Sequence, residues 1–108
     1  MRDKAIKALI SMGIPMNQTG FIYIVDAMEL FEEHGAPITS VKTLYNLIAR
    51  ARRRNPYDIM YHISYTIQYA FKNGIGSECL KYFGLGIAPR SNGNYLAMMW
   101  QRLKEEEK

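Results

Sequence analysis

A chain of 108 residues is one domain's worth, enough for a single modest core and too short for a catalytic domain joined to a regulatory one. Hydrophobic residues at 48% and charged residues at 22%, with four prolines and eight glycines, exclude disordered and collagen-like classes and call for a packed core. Fourteen Lys/Arg against ten Asp/Glu leave +4, a balance that permits nucleic acid as a partner without demanding it, so the distribution of charge decides.

Glycines and prolines divide the chain into about six helical segments, with no internal repeat and no convincing strand, so an all-α fold is predicted. The first segment, 2–12, places Ile6, Leu9 and Ile10 on one face and stops at Gly13-Ile14-Pro15. The second, 21–33, opens on FIYIV, which alone would suit a strand, but Ile24, Ala27, Met28 and Phe31 continue at helical spacing as far as His34-Gly35. The third, about 41–53, has Ser40 as its N-cap and turns Leu44 and Ile48 inward, with Leu47 as a further candidate. The fourth, about 56–73, has the clearest start: Asn55 caps, Pro56 fits the first turn where its missing N–H is harmless, and Asp58 meets the positive end of the dipole. Gly74 stops it. A shorter helix over 77–82 ends at Gly84, and the last begins after Ser91-Asn92, carries Leu96, Met99, Trp100 and Leu103 inward, and leaves 104–108 as a frayed tail.

Charge is unevenly spread. Between His34 and Tyr57 there is no acidic residue, while Lys42, Arg50, Arg52, Arg53 and Arg54 bring five positive charges, more than the net charge of the whole chain. Asp26, Glu29, Glu32 and Glu33 gather on the second helix, so a basic end and an acidic flank are expected. An arginine-rich helix end complementing its own dipole is the plain reading of the basic block. Its place in a short connection ahead of a sharply started helix favours a phosphate clamp.

On the fourth helix Ile59, Ile63, Ile67 and Ala70 with Phe71 make an apolar stripe at core spacing. Tyr57, Tyr61, Tyr65 and Tyr69 recur every four residues on the other side, among Asp58, Ser64, Gln68 and Lys72. Rings carrying a hydroxyl suit phosphate and base contacts, and equally a protein interface. Two helices joined tightly, the second with a basic entrance and a polar face, form a helix-turn-helix pattern.

The residues also resemble the DNA-binding effector domain of the stage-zero sporulation response regulators, transcription factors of endospore-forming bacteria. The likeness spans residues 6–103 and rests on the order and spacing of Gly13, Pro15, Gly20, Tyr23 and Ala27, of Leu44-Tyr45 and Ile48-Ala49, of Ile63, Ile67, Ala70 and Gly74, and of Phe83-Gly84, Asn92, Ala97-Met98 and Leu103. It implies a six-helix domain whose fourth helix enters the major groove of double-stranded DNA. It further implies a homodimer on tandem sites and, near residues 74–87, a contact with RNA polymerase. The chain departs from the family where bases are read: in place of arginines with a glutamate between them it has Asp58, Met60, Tyr61 and Ser64, and Tyr65 replaces a family histidine. Neither aspartate nor tyrosine reproduces arginine's bidentate fork on guanine, so the family's target sequence does not carry over. The connections after the second helix and before the last are shorter than the family's. A receiver domain is not expected, which would remove the family's phosphorylation switch.

Catalysis has little support. His34 and His62 pair with neither Cys79 nor a serine in a nucleophile pattern, and the glycines at 74–76 and 84–86 lack a phosphate-loop lysine and a preceding strand, so no catalytic, metal or cofactor site is expected. One cysteine excludes an internal disulfide, and no apolar run approaches the ~20 residues of a membrane span, so a soluble cytoplasmic protein without a membrane partner is the expectation. The predicted DNA contacts are Arg50, Arg52, Arg53 and Arg54 on phosphates, with Tyr57, Asp58, Tyr61, Ser64, Tyr65 and Gln68 in the groove. The alternative is a protein-interaction module on the same fold, binding another regulator or a polymerase subunit through its tyrosine face.

Overall fold

A computed structural model of the chain describes residues 1–84 and 91–107, and these form six helices and no strand: α1 (Arg2–Ser11), α2 (Thr19–His34), α3 (Val41–Arg52), α4 (Pro56–Asn73), α5 (Gly76–Phe83) and α6 (Asn92–Glu105). The all-α, six-helix expectation holds. The glycine pair of 84–86 lies partly outside the described residues.

α2 and α4 form the centre. α2 packs against α1, α3, α4 and α6, and α4 against α2, α3, α5 and α6, so each is hydrophobic over a wide arc. Met28 and Phe31 of α2, Leu44 and Ile48 of α3, Ile59, Ile63 and Ile67 of α4, and Leu96 and Met99 of α6 meet in one continuous core. The strand-like FIYIV run is helical because Phe21, Ile24, Val25 and Met28 all find partners around α2. α1 buries Ala5, Ala8, Leu9 and Met12, spaced i, i+3, i+4, i+7, and leaves Ile10 exposed. The alanines, whose small size lets α1 sit close to α2, define its inner face better than its large apolar residues do. Leu47 likewise stays partly exposed. Phe71 is only partly covered, its ring tilted against those of Phe83 and Tyr95.

Gly20 sets the distance between α2 and α4. A Cβ there would lie 2.1 Å from both the His62 carbonyl oxygen and Thr66 Oγ1, so only glycine lets α2's first turn rest on α4. The fully buried Thr66 donates to Gln18 Oε1 at 3.1 Å and ties the two elements at the same place. Residues 104–107 are anchored where fraying was expected of 104–108; Lys108 lies outside the described residues. α6 continues to Glu105, and Glu107 pairs with Lys4 of α1 at 2.6 Å and Lys104 at 2.9 Å, while Lys104 also reaches Glu32 of α2 at 3.2 Å. Together these pairs hold the Glu107 carboxyl down to about 2.

Candidate nucleic-acid interface

α3 and α4 are joined by three residues, Arg53, Arg54 and Asn55. The Arg54 N–H donates to the Ala49 carbonyl at 2.8 Å and the Arg53 N–H to that of Arg50 at 3.4 Å, which is a Schellman ending. Such an ending needs a left-handed residue. α1, α2 and α5 are each followed by a glycine at positive φ, whereas α3 uses Arg53 at φ 56° and ψ 48°. A left-handed L-residue costs about 1–2 kcal/mol, so the arginine sits where glycine would fold more cheaply. Asn55 then caps α4 by accepting from the Tyr57 N–H at 2.8 Å, with Pro56 at the first helical position.

Arg50, Arg53 and Arg54 are exposed and, among the described residues, make no ion pair. Arg52 is different. Its Nε and Nη2 grip both oxygens of Asp26 at 2.7 and 2.8 Å, a bidentate pair across 26 residues that ties α3 to α2. The hydrogen bond to Asp26 raises the Arg52 pKa further. Its fork is therefore occupied within the fold, and the acidic flank and the basic end expected from sequence meet here.

The outward face of α4 begins at the same turn. Tyr57, Tyr61 and Tyr65 are 76%, 61% and 52% exposed, and Gln68 is exposed beside them. The rings of Tyr61 and Tyr65 stack with centroids 6.5 Å apart. Tyr69 leaves this row and is half-buried, because a step of four residues advances about 40° around a 3.6-residue helix and three steps carry it off the face. Beside Tyr57 and Met60 a cleft of about 470 Å³ opens against Val41, Lys42 and Tyr45 of α3.

Two residues expected in the groove have bonds within the fold. Asp58 turns toward α2, where Tyr23 Oη donates to its Oδ2 at 3.1 Å and His62 Nε2 lies 3.3 Å from Oδ1. Burial and the bond to Asp58 raise the Tyr23 pKa, so the phenol keeps its proton and remains the donor. Ser64 Oγ accepts from Asn92 Nδ2 at 2.7 Å, and the same amide donates to Tyr45 Oη at 3.0 Å, locking the start of α6 to α3 and α4. Sequence reasoning did not identify Tyr23, Tyr45 and Asn92 as supports. Only His62, four residues after Asp58, carries a local signal.

The family described as the sporulation initiation factor Spo0A C terminal matches residues 5–103. The chain belongs to this family. The family is one of helical DNA-binding regulatory domains, so the chain is a sporulation-effector-like, DNA-binding domain of transcription regulation. No curated protein matches the chain. No helix among the described residues is long and apolar enough to cross a membrane. In this Spo0A C-terminal domain, Asp58 and Ser64 are bonded to Tyr23 of α2 and Asn92 of α6. Of the segment 74–87 near which the resemblance places polymerase, residues 85–87 lie outside the described residues.

Proposed function

We propose that the domain binds double-stranded DNA with α4 in the major groove, as a soluble cytoplasmic transcription regulator whose base preference differs from its family's. Arg50, Arg53 and Arg54 meet phosphates where the chain enters α4, and Tyr57, Tyr61, Tyr65 and Gln68 face the groove. Arg52, Asp58 and Ser64 act from behind by fixing the turn and the helix. The observation that carries this reading is that Arg53 and Arg54, exposed and without an ion pair among the described residues, lead directly into the helix that exposes Tyr57, Tyr61 and Tyr65. A tyrosine hydroxyl bonds phosphate or a base edge and the ring packs on a thymine methyl, but none of Tyr57, Tyr61, Tyr65 and Gln68 on α4 itself supplies a two-pronged donor for guanine. Affinity should come mostly from phosphates and depend strongly on salt. A second copy on an adjacent half-site would add the specificity that one such helix lacks, and RNA polymerase or another regulator is the partner the family context favours.

A second reading has its own observation. The cleft beside Tyr57 and Met60 is lined by Val41, Tyr45 and Pro56, a surface that also suits a protein partner. Selection of bound sequences from random duplexes, followed by salt titration, separates the two. A selected motif without the family's guanines supports DNA reading. Weak binding with no selected motif supports the protein-interaction module.

A further inference from the structure

A second cleft, of about 390 Å³, lies on the opposite side of the tyrosine row, between the start of α2 and the middle of α4. Gln18, Thr19, Tyr61, His62, Tyr65 and Thr66 line it. Gly20 and the Thr66–Gln18 bond make its floor rigid. Tyr61 and Tyr65 form the wall shared with the proposed reading face, so a duplex with α4 in its groove brings one backbone strand past the arginine turn and the other toward this cleft.

His62 gives the cleft a chemical character. Its Nε2 lies 3.3 Å from Asp58 Oδ1, an arrangement that suits a proton on that nitrogen. The neutral ring then presents Nδ1 as a lone pair, which repels a phosphate oxygen. The imidazolium presents Nδ1–H, which donates to one. The charged and titratable groups around it are Asp58 on its own helix, Tyr23 from α2 and Tyr61 at its edge, with Arg54 of the turn and Arg52 at the end of α3 acting on the Tyr23–Asp58 pair. A phosphate in the cleft would favour the imidazolium from the side away from Asp58.

We infer that this cleft is a second phosphate site, taking a backbone phosphodiester of bound DNA on protonated His62 and the hydroxyls of Tyr61 and Tyr65, and that DNA binding therefore takes up a proton at His62. The inference rests on the DNA-binding reading above and adds a site on the flank away from the arginines.

The test is the affinity of the full chain for a random-sequence DNA duplex, measured against salt from about pH 8 to about pH 5.5, the range across which a histidine ordinarily changes charge. The wild type should bind about tenfold tighter at the acid end, with a salt slope steeper by about 0.9, the signature of one more phosphate contact. His62→Gln should abolish both increments, while His34→Gln, at the far end of α2, should keep them. An equal pH response in wild type and His62→Gln overturns the proposal. A direct proton titration of His62 by NMR covers a variant that fails to fold: the duplex should move its midpoint up by about one unit, and an unmoved midpoint overturns the proposal. If binding at about pH 8 depends on Arg53 and Arg54 but the acid increment does not depend on His62, only the second site fails. If no duplex binds at low salt at any pH, the DNA-binding reading fails with it.

Discussion

Replacing Arg53 by glycine should make the domain more stable and weaken its grip on DNA. Arg53 holds φ 56° and ψ 48°, where a residue with a Cβ costs about 1–2 kcal/mol. Glycine removes that cost and returns about 0.5–1 kcal/mol as extra freedom of the unfolded chain, leaving a net gain of about 0.5–1 kcal/mol. The Schellman bonds to Ala49 and Arg50 involve only backbone and persist. For 108 residues the gain corresponds to a rise in Tm of roughly 2–4 °C. Trp100, the single tryptophan and only 8% exposed, reports the transition by fluorescence. The same substitution removes one phosphate-facing cation, so the slope of log affinity against log salt should fall by about 0.9. Arg53→Ala should lose the same slope without the gain in Tm, because alanine still pays for the left-handed backbone. A glycine variant that melts lower than wild type would refute the stability reasoning, and one with an unchanged salt slope would refute the phosphate assignment.

Arg52→Ala should lower stability by about 1 kcal/mol and leave the salt slope of DNA binding in place: Asp26 loses two charge-assisted bonds, but the Arg52 side chain is 38% exposed and water screens the pair. A double-mutant cycle with Asp26→Ala checks it, and zero coupling energy contradicts it. Gly20→Ala should cost about 3 kcal/mol or more, since the added methyl meets the backbone of α4. A urea midpoint equal to wild type would show that α2 and α4 can separate freely. Glu107, with a carboxyl held at about 2 by Lys4 and Lys104, contributes stability that is present above about pH 4.5 and disappears as pH falls toward 2. The Tm difference between wild type and Glu107→Gln should therefore shrink over that window. A difference that persists at the acid end excludes the ion pairs as its source.

Helix periods and stops lie within a few residues of each other along the chain, which is why all six helices, the Asn55-Pro56 entrance and the likeness over 6–103 could be read from sequence. What side chains do after folding is set across longer separations. Arg52 and Arg53 are neighbours in one basic run, yet one turns to Asp26 and the other ends the helix, and nothing local separates them. No glycine marks the end of α3, so its left-handed turn has no sequence signature. The four-residue tyrosine spacing suggested one row of four, but helical drift removes Tyr69 from it. The partners of Asp58 and Ser64 are hidden from the sequence because Tyr23 and Asn92 lie 35 and 28 residues away. Lys104 and Glu107 read as tail because Glu32 and Lys4 stand 72 and 103 residues earlier in the sequence.

Backbone amide shifts recorded by NMR as a DNA duplex is added test the central claim most directly, since they report the contact surface without any substitution. The largest changes should fall on Arg53, Arg54, Tyr57, Tyr61, Tyr65 and Gln68, with α1 nearly silent. Changes gathered on α1 or α5, with the outward face of α4 unmoved, would contradict it.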